Sequence, residues 1–151
     1  MVSRFEHFSA SISCIYRYIQ KIERMEMEKY GLKGPHAQCL LAMSRYPEGI
    51  TAAKICEICD KDKAAVSRAL AEMEKKGLVL REGKNENLYR AKIRLTEAGE
   101  QAAKFVSDRA KVAVALAGEG LSDEDRRVFY HALDLIVTNL HNISRNGIPQ
   151  E

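Results

Sequence analysis

Cysteine is the residue type in this sequence with the widest range of possible chemistry. Cys56 and Cys59 form a C-x-x-C pair, a spacing that suits either a zinc ion or a reversible disulfide. A structural zinc site needs four Cys or His ligands, and no second pair lies nearby in the sequence, so we expect no metal. Both residues fall in a short predicted helix with apolar neighbours. We therefore expect them to be free thiols that pack as small apolar residues, and we expect Cys39 to lie in the core.

Cys14 leaves a redox interpretation open, because it lies in the predicted first helix and a thiol there reacts if its pKa is lowered. The sequence alone fixes no cation beside it. The sequence contains no nucleophile elbow, phosphate-binding loop, dinucleotide fingerprint or zinc-protease motif. We therefore expect no catalytic residues and no cofactor, and a protein that is not an enzyme.

Positive charge is concentrated in one part of the chain. The net charge is only +3, but residues 61–96 contain ten Lys or Arg against five Asp or Glu. One basic segment in an otherwise nearly neutral chain is typical of a local phosphate-binding surface. No apolar run reaches the length of a membrane span, and residues 1–11 have no signal-peptide core. We expect a cytoplasmic protein with reduced cysteines and no membrane partner.

The helix predicted after Asp62 provides the candidate DNA-contacting face. At about 100° per residue, Val66, Leu70 and Met73 share one side and are expected to pack inward. The opposite side mixes small residues, which let a helix approach a groove closely, with cations that contact phosphates or guanine. A basic hairpin follows and can reach an adjacent minor groove or the backbone. The expected DNA-contacting residues are Lys63, Ala64, Ser67, Arg68, Ala71, Lys75, Arg81, Lys84, Asn85, Asn87 and Arg90.

Long amphipathic helices are predicted at both ends of the chain. Apolar residues recur at alternating spacings of three and four over residues 5–22 and again over residues 129–143. Narrow stripes of this kind are typical of helices that associate with one another, so we expect the terminal helices to hold a homodimer together. The expected dimer-interface residues are Phe5, Phe8, Ile12, Phe129, Leu133, Ile136, Leu140 and Ile143.

Shorter elements are predicted between the two long helices. They are a helix opened by Pro35, helices capped by Thr51, Asp62 and Thr96, and two strands over residues 78–81 and 91–95. The expected fold class is therefore mainly α with a small β-hairpin, a winged helix-turn-helix with long N- and C-terminal dimerisation helices. We expect residues 1–151 to form a single unit, with a DNA-binding lobe over 35–96 and a helical dimerisation platform over 1–34 and 97–151.

Two segments around the basic helix carry a family signature. Residues 62–82 read DKAAVSRALAEMEKKGLVLRE, and residues 93–100 read IRLTEAGE. This combination resembles the MarR family of transcription regulators, and the similarity extends over about residues 5–144. The resemblance implies a homodimer that binds a pseudo-palindromic operator, usually as a repressor that is released by a small ligand or an oxidant.

The sequence departs from the family pattern at two places. The family often has Ser-Thr where this chain has Ala64 and Ala65, which removes two hydroxyl groups. The family's wing usually carries Asp-x-Arg, whereas residues 87–89 here read Asn-Leu-Tyr and are followed by Arg90. Arg90 is therefore displaced by one position from the usual wing arginine.

A pocket for an effector is expected where the first helix, the Pro35 helix and the Thr96 helix meet, because junctions between lobes favour mostly apolar pockets. The expected ligand is small and apolar or aromatic, and the candidate lining residues are Ile15, Tyr16, Ile19, His36 and Phe105. The main hypothesis has double-stranded DNA and a second copy of the chain as partners. The alternatives are a thiol-based redox-sensing regulator and a winged-helix module that binds protein without DNA.

Overall fold

A computed structural model of the chain describes residues 3–83 and 90–149. Its elements follow in the order α1 (Arg4–Glu28), α2 (Gly34–Ser44), β1 (Ile50–Thr51), α3 (Ala52–Cys59), α4 (Lys63–Lys75), β2 (Val79–Glu82), β3 (Lys92–Leu95), α5 (Glu97–Ala117) and α6 (Asp123–Asn146). The chain divides into two compact units, Met1–Ala110 and Lys111–Glu151. The predicted class, mainly α with a winged helix-turn-helix, is confirmed.

Polar side chains cap the helices where the sequence predicts. Thr51 Oγ1 accepts the N–H of Lys54 at 3.2 Å, and an oxygen of Asp62 accepts the N–H of Ala65 at 2.7 Å. These bonds satisfy backbone donors that have no partner inside a helix, so α3 and α4 begin immediately after the two caps. Ser122 starts α6 in the same way, as half of a reciprocal capping box.

The wing rests on a three-stranded antiparallel sheet with the strand order β1-β3-β2. Ile50 of β1 pairs with Ile93 of β3, and Val79 of β2 pairs with Leu95 at the other edge. The sequence predicts only the hairpin of β2 and β3. The third strand was missed because its two residues are too few to display an alternating pattern.

The core of the first unit lies where α2, α3, α4 and the sheet meet. The inward face predicted for α4 is confirmed, because Val66, Leu70 and Met73 are all fully buried. They pack in one cluster with apolar side chains of the neighbouring elements, including Leu40 and Ile55. The burial of one side of α4 fixes which side of this helix faces solvent.

The start of α5 is tied to the end of α4. Thr96 Oγ1 accepts the N–H of Gly99 at 3.1 Å and donates to the carbonyl of Gly77 at 2.6 Å. The N–H of Thr96 donates to the carbonyl of Leu78 at 2.9 Å. A Cβ atom on Gly99 would overlap that same Leu78 carbonyl oxygen. The glycine of the LTEAGE motif therefore allows two backbone segments to approach closely.

Replacement of Gly99 by Ala should lower the free energy of unfolding by about 1–3 kcal/mol, since the added methyl group must displace backbone rather than a flexible side chain. Urea titration monitored by circular dichroism measures this change. Ala98→Ser adds an atom at the adjacent exposed position and should stay within about 0.5 kcal/mol of the wild type. Equal stability of the Gly99→Ala and wild-type proteins would contradict the close approach.

The second unit contains the end of α5 and all of α6. In this unit the guanidinium of Arg126 donates to the carbonyl of Gly118 at 2.5 Å, which holds the turn between the two helices. None of the described residues of α6 is buried. Among the described residues, no helix combines the length and the apolar character that crossing a membrane requires.

Candidate nucleic-acid interface

The outward side of α4 gathers the residues predicted to contact DNA. Since α4 buries its opposite face, these side chains project together into solvent, and all of them are exposed: Lys63, Ala64, Ser67, Arg68, Ala71 and Lys75. Small side chains alternate with cations along this surface, which we call the α4 face. A helix of this shape and charge can lie deep in a groove of DNA while its cations reach phosphates and base edges.

Arg68 is a cation of the α4 face whose guanidinium is available to bind a ligand. Within residues 3–83 and 90–149, the side chains of Arg68, Ser67 and Lys75 form no hydrogen bond or ion pair. The acidic residues of α4 are engaged elsewhere, because Glu72 pairs with Lys33 at 2.8 Å and Glu74 with Arg81 at 3.0 Å. The carboxylates of α4 therefore do not neutralise the α4 face.

Arg81 has a structural contact that the sequence did not indicate. Its Nε atom lies 3.0 Å from Glu74 Oε2, and its side chain is only 18% exposed, so it joins β2 to α4. Arg90 is exposed just before β3, whose Lys92 and Arg94 are also exposed. The remaining predicted wing contacts, at positions 84, 85 and 87, lie outside the described residues. β2 and β3 thus add basic side chains to the lobe that carries the α4 face.

The residues predicted to line an effector pocket have different environments. Ile15, Tyr16 and Ile19 are exposed on α1, Phe105 stacks on Tyr30 with ring centroids 4.4 Å apart, and His36 is buried. A cleft of about 470 Å³ opens between α1 and the start of α2, and it contains none of these five residues. Most of its lining residues are polar or charged, including Glu23, Arg24, Lys33, Gln38 and Lys61. The effector pocket stays a prediction.

His36 supports the fold around the start of α2. Its Nδ1 atom accepts the backbone N–H of Lys33 at 3.1 Å, which leaves the proton on Nε2, and Nε2 lies 3.4 Å from Glu72 Oε2. Burial lowers the pKa of His36, and the positive charges of Lys33 and Lys76 act in the same direction, while Glu72 opposes them. The neutral imidazole is therefore the form that fits the folded protein.

Protein stability should fall as the pH decreases below about 6.5, the ordinary pKa of histidine. The unfolded chain binds a proton at His36 more readily than the folded chain does, so acidification favours unfolding. His36→Gln should reduce the difference in unfolding free energy between about pH 7.5 and about pH 5.5. His131→Gln, at an exposed position, is the control and should leave that difference unchanged. An unchanged pH dependence in His36→Gln would contradict this account.

The cysteines are placed differently from the sequence-based expectation in one respect. Cys39 lies in the core as predicted, and Cys56 and Cys59 pack against the core but are half-buried. Cys39 on α2 and Cys59 on α3 affect each other's pKa, which the sequence analysis did not indicate. The Cys39 thiol lowers the pKa of Cys59 to about 7, assisted by the positive charges of Lys61 and Arg45.

The first helix also gives its cysteine a cationic neighbour. Arg17 donates to Cys14 Sγ at 3.2 Å, a contact that the helical spacing of three residues permits. Within the described residues, no group of three or more His, Cys, Asp or Glu is arranged to hold a metal ion.

A helix-turn-helix whose second helix exposes small and cationic residues, followed by a basic antiparallel wing, defines a winged helix-turn-helix protein. Residues 30–86 match the sequence model of the MarR family. No curated protein matches the chain. The resemblance to the MarR family is confirmed for the winged-helix segment, and nearly the whole chain has the fold of solved MarR-family structures.

Solved structures of MarR-family regulators share the fold over nearly the whole chain. One MarR-family transcription regulator superposes with a TM-score of 0.84 at 18% identity, covering 95% of both chains. A regulator from Methanosarcina mazei superposes with a TM-score of 0.81 at 23% identity, covering 91% of this chain and 99% of that chain. A putative regulator from Listeria monocytogenes, crystallised with a 26mer DNA, superposes with a TM-score of 0.77 at 23% identity. The match covers 94% of this chain and 96% of that chain.

Proposed function

We propose that this protein is a sequence-specific DNA-binding transcription regulator that acts as a homodimer on a pseudo-palindromic operator. The observation that carries the proposal is the α4 face, an exposed surface of small and cationic residues on the second helix of a helix-turn-helix. Arg68 has no partner within the described chain, so its five N–H donors are available for a guanine edge or for phosphates.

The charge distribution supports DNA rather than a protein as the partner of this lobe. The ten cations of residues 61–96 outnumber the acidic residues two to one, and Glu72, Glu74 and Glu82 are all held in ion pairs. The net positive charge of this segment therefore dominates the field that an approaching ligand meets. The Listeria monocytogenes relative was crystallised with a 26mer DNA, which favours the same partner class here.

The homodimer follows from apolar surface that this chain leaves exposed. On α1, Phe5 is 76% exposed, and on α6, Phe129 and Leu140 are 48% and 51% exposed. Soluble monomers rarely expose such continuous apolar stripes, so a second copy of the chain is the natural cover for them. In this proposal residues 35–96 form the DNA-binding lobe, and residues 1–34 and 97–151 form the dimerisation platform.

Repression in the cytoplasm is the regulatory outcome that we propose, because a dimer seated on an operator excludes other proteins from that DNA. Release of the dimer from the operator then requires a signal. A small apolar or aromatic ligand at the predicted pocket is one candidate, and the lowered pKa of the half-buried Cys59 favours thiol oxidation as a second.

Selection from a pool of random duplexes tests the proposal. Purified, reduced protein should enrich an inverted repeat whose half-sites are centred about one helical turn, 10–10.5 base pairs, apart. Enrichment of no sequence, together with salt-independent retention of a protein partner, would instead support the winged-helix interaction module.

A further inference from the structure

We propose that the cleft between α1 and the start of α2 holds the phosphate backbone of operator DNA on the side of α4 that lies away from the wing. We call this surface the α1–α2 cleft, and its cations are Arg24, Lys33 and Lys61. The inference rests on the proposed function, because it adds a second contact region to the α4 face. It extends the DNA-contacting surface to α1, a helix that the sequence assigns to the dimerisation platform alone.

Two ion pairs show what lies on either side of α4. Glu72 pairs with Lys33 at 2.8 Å, so the segment that leads into α2 lies on one side. Glu74 pairs with Arg81 at 3.0 Å, so β2 and the wing lie on the other. At about 100° per residue, the two glutamates lie roughly 200° apart around the helix. The buried side of α4 occupies one arc between them, and the α4 face occupies the other.

A helix that lies in the major groove of DNA has a phosphate backbone on each side of it. The groove is about 12 Å wide, which is enough for a single helix, so the phosphates of both strands border that helix closely. The wing can reach the backbone on its own side of α4. The α1–α2 cleft borders α4 on the opposite side and therefore faces the other backbone. Contacts of this kind fix the position of a protein along DNA.

Two cations of the α1–α2 cleft are available to a phosphate. In the part of the chain that the structure describes, the side chains of Arg24 and Lys61 form no hydrogen bond or ion pair. Arg24 lies against the start of α2, since a Cβ atom on Gly34 would be 3.5 Å from the Arg24 backbone nitrogen. Lys61 lies two residues before Lys63, the first residue of α4. The two cations therefore extend the basic surface from the start of α4 to α1.

Acidic residues in the cleft limit how strongly it attracts an anion. Glu23 and Glu28 line the same cleft. Glu23 is half-buried, and this burial raises the pKa of its carboxyl group, while Gln38 and Lys61 act in the opposite direction. A carboxylate at this position repels a phosphate that enters the cleft. Removal of the Glu23 charge should therefore strengthen DNA binding, the opposite of the effect expected for the cations.

Neutral phosphate analogues test the contact directly. A series of the selected duplex is prepared in which one phosphate at a time is replaced by an uncharged methylphosphonate, and fluorescence anisotropy measures the affinity of the full-length protein. For the wild type, one replacement in each half-site, beside the major groove and away from the wing, should weaken binding by roughly threefold or more. The same replacement should have no further effect on Arg24→Ala, because that contact is already lost. Equal effects on both proteins at every position would overturn the proposal.

Four single variants test the cleft from the protein side. Arg24→Ala and Lys61→Ala should each weaken binding by roughly tenfold or more and lower the salt slope by about 2, one phosphate contact for each half-site, without changing the selected sequence. Glu23→Gln should bind more tightly, by roughly twofold or more. Lys29→Ala removes a positive charge at the end of α1 outside the cleft, where Lys29 pairs with Glu26 at 2.7 Å, and should bind like the wild type.

The outcomes separate this inference from the proposed function. Unchanged affinity and salt slope in either Arg24→Ala or Lys61→Ala would overturn the inference, as would weaker binding by Glu23→Gln. An equal loss of affinity in Lys29→Ala and Arg24→Ala would also overturn it, because the effect would then depend on total charge rather than on the cleft. Failure of the wild-type protein to bind any duplex would instead count against the proposed function.

Discussion

Leu140→Glu should convert the protein from a dimer to a monomer and weaken operator binding by about 100-fold or more. Leu140 lies in the C-terminal part of the apolar stripe of α6 and is 51% exposed in the single chain. A carboxylate there would be buried in the dimer without a partner, which costs far more than the same charge costs in solvent. In a dimer, the two α4 helices bind one DNA molecule together, which raises the overall affinity. Separate monomers lose this gain in affinity.

Sedimentation at micromolar concentration measures the change in mass, and fluorescence anisotropy with the selected duplex measures the affinity. Thr138→Glu is the matched control, since it adds the same charge to an exposed position on the opposite side of α6. It should remain dimeric and bind normally. A dimeric, fully active Leu140→Glu protein would show that α6 does not form the interface.

Arg68→Ala should weaken specific DNA binding by about 1–3 kcal/mol for each half-site, and therefore by about 2–6 kcal/mol for a dimer on its full operator. Arg68 has no partner within the described chain, so the substitution removes a DNA contact without breaking an intramolecular bond. Discrimination among bases should also relax at one position of each half-site. Arg68→Lys keeps the charge but not the two parallel donors, and it should recover only non-specific affinity.

Lys104→Ala provides the control for loss of a positive charge, because Lys104 lies on α5 in an exposed ion pair with Asp108. Its effect on operator affinity should be within a few tenths of a kcal/mol. Arg81→Ala should behave differently again, since the loss of its bond to Glu74 perturbs the attachment of β2 to α4. Unchanged operator affinity in the Arg68→Ala variant would show that α4 is not the helix that recognises the DNA sequence.

Local signals in the sequence were sufficient for most of the fold. Thr51, Asp62 and Ser122 are residues whose short side chains can accept a backbone N–H, and each caps the helix predicted to follow it. The helical spacing of Val66, Leu70 and Met73 likewise predicts the buried side of α4, and the opposite side is therefore predicted to be exposed. Each of these features depends on residues within about one or two helical turns.

The features that the sequence did not predict all depend on contacts between distant segments. β1 exists because Ile50 finds a partner in Ile93, not because two residues prefer a strand. The mutual effect of Cys39 and Cys59 on their pKa values requires the packing of α2 on α3, and spacing along the chain gives no sign of it. Arg81 resembles a DNA contact by type and position, but the fold also places it against Glu74.

The salt dependence of binding to the selected inverted repeat tests the central claim most directly. If the protein is a dimeric DNA-binding regulator, one dimer should bind each duplex, and the logarithm of the binding constant should fall linearly with the logarithm of the salt concentration. With about six or more phosphate contacts, affinity should drop by roughly 1,000-fold or more between about 50 and 200 mM salt. Binding that is absent at low salt, or that does not change over this range, would contradict the account.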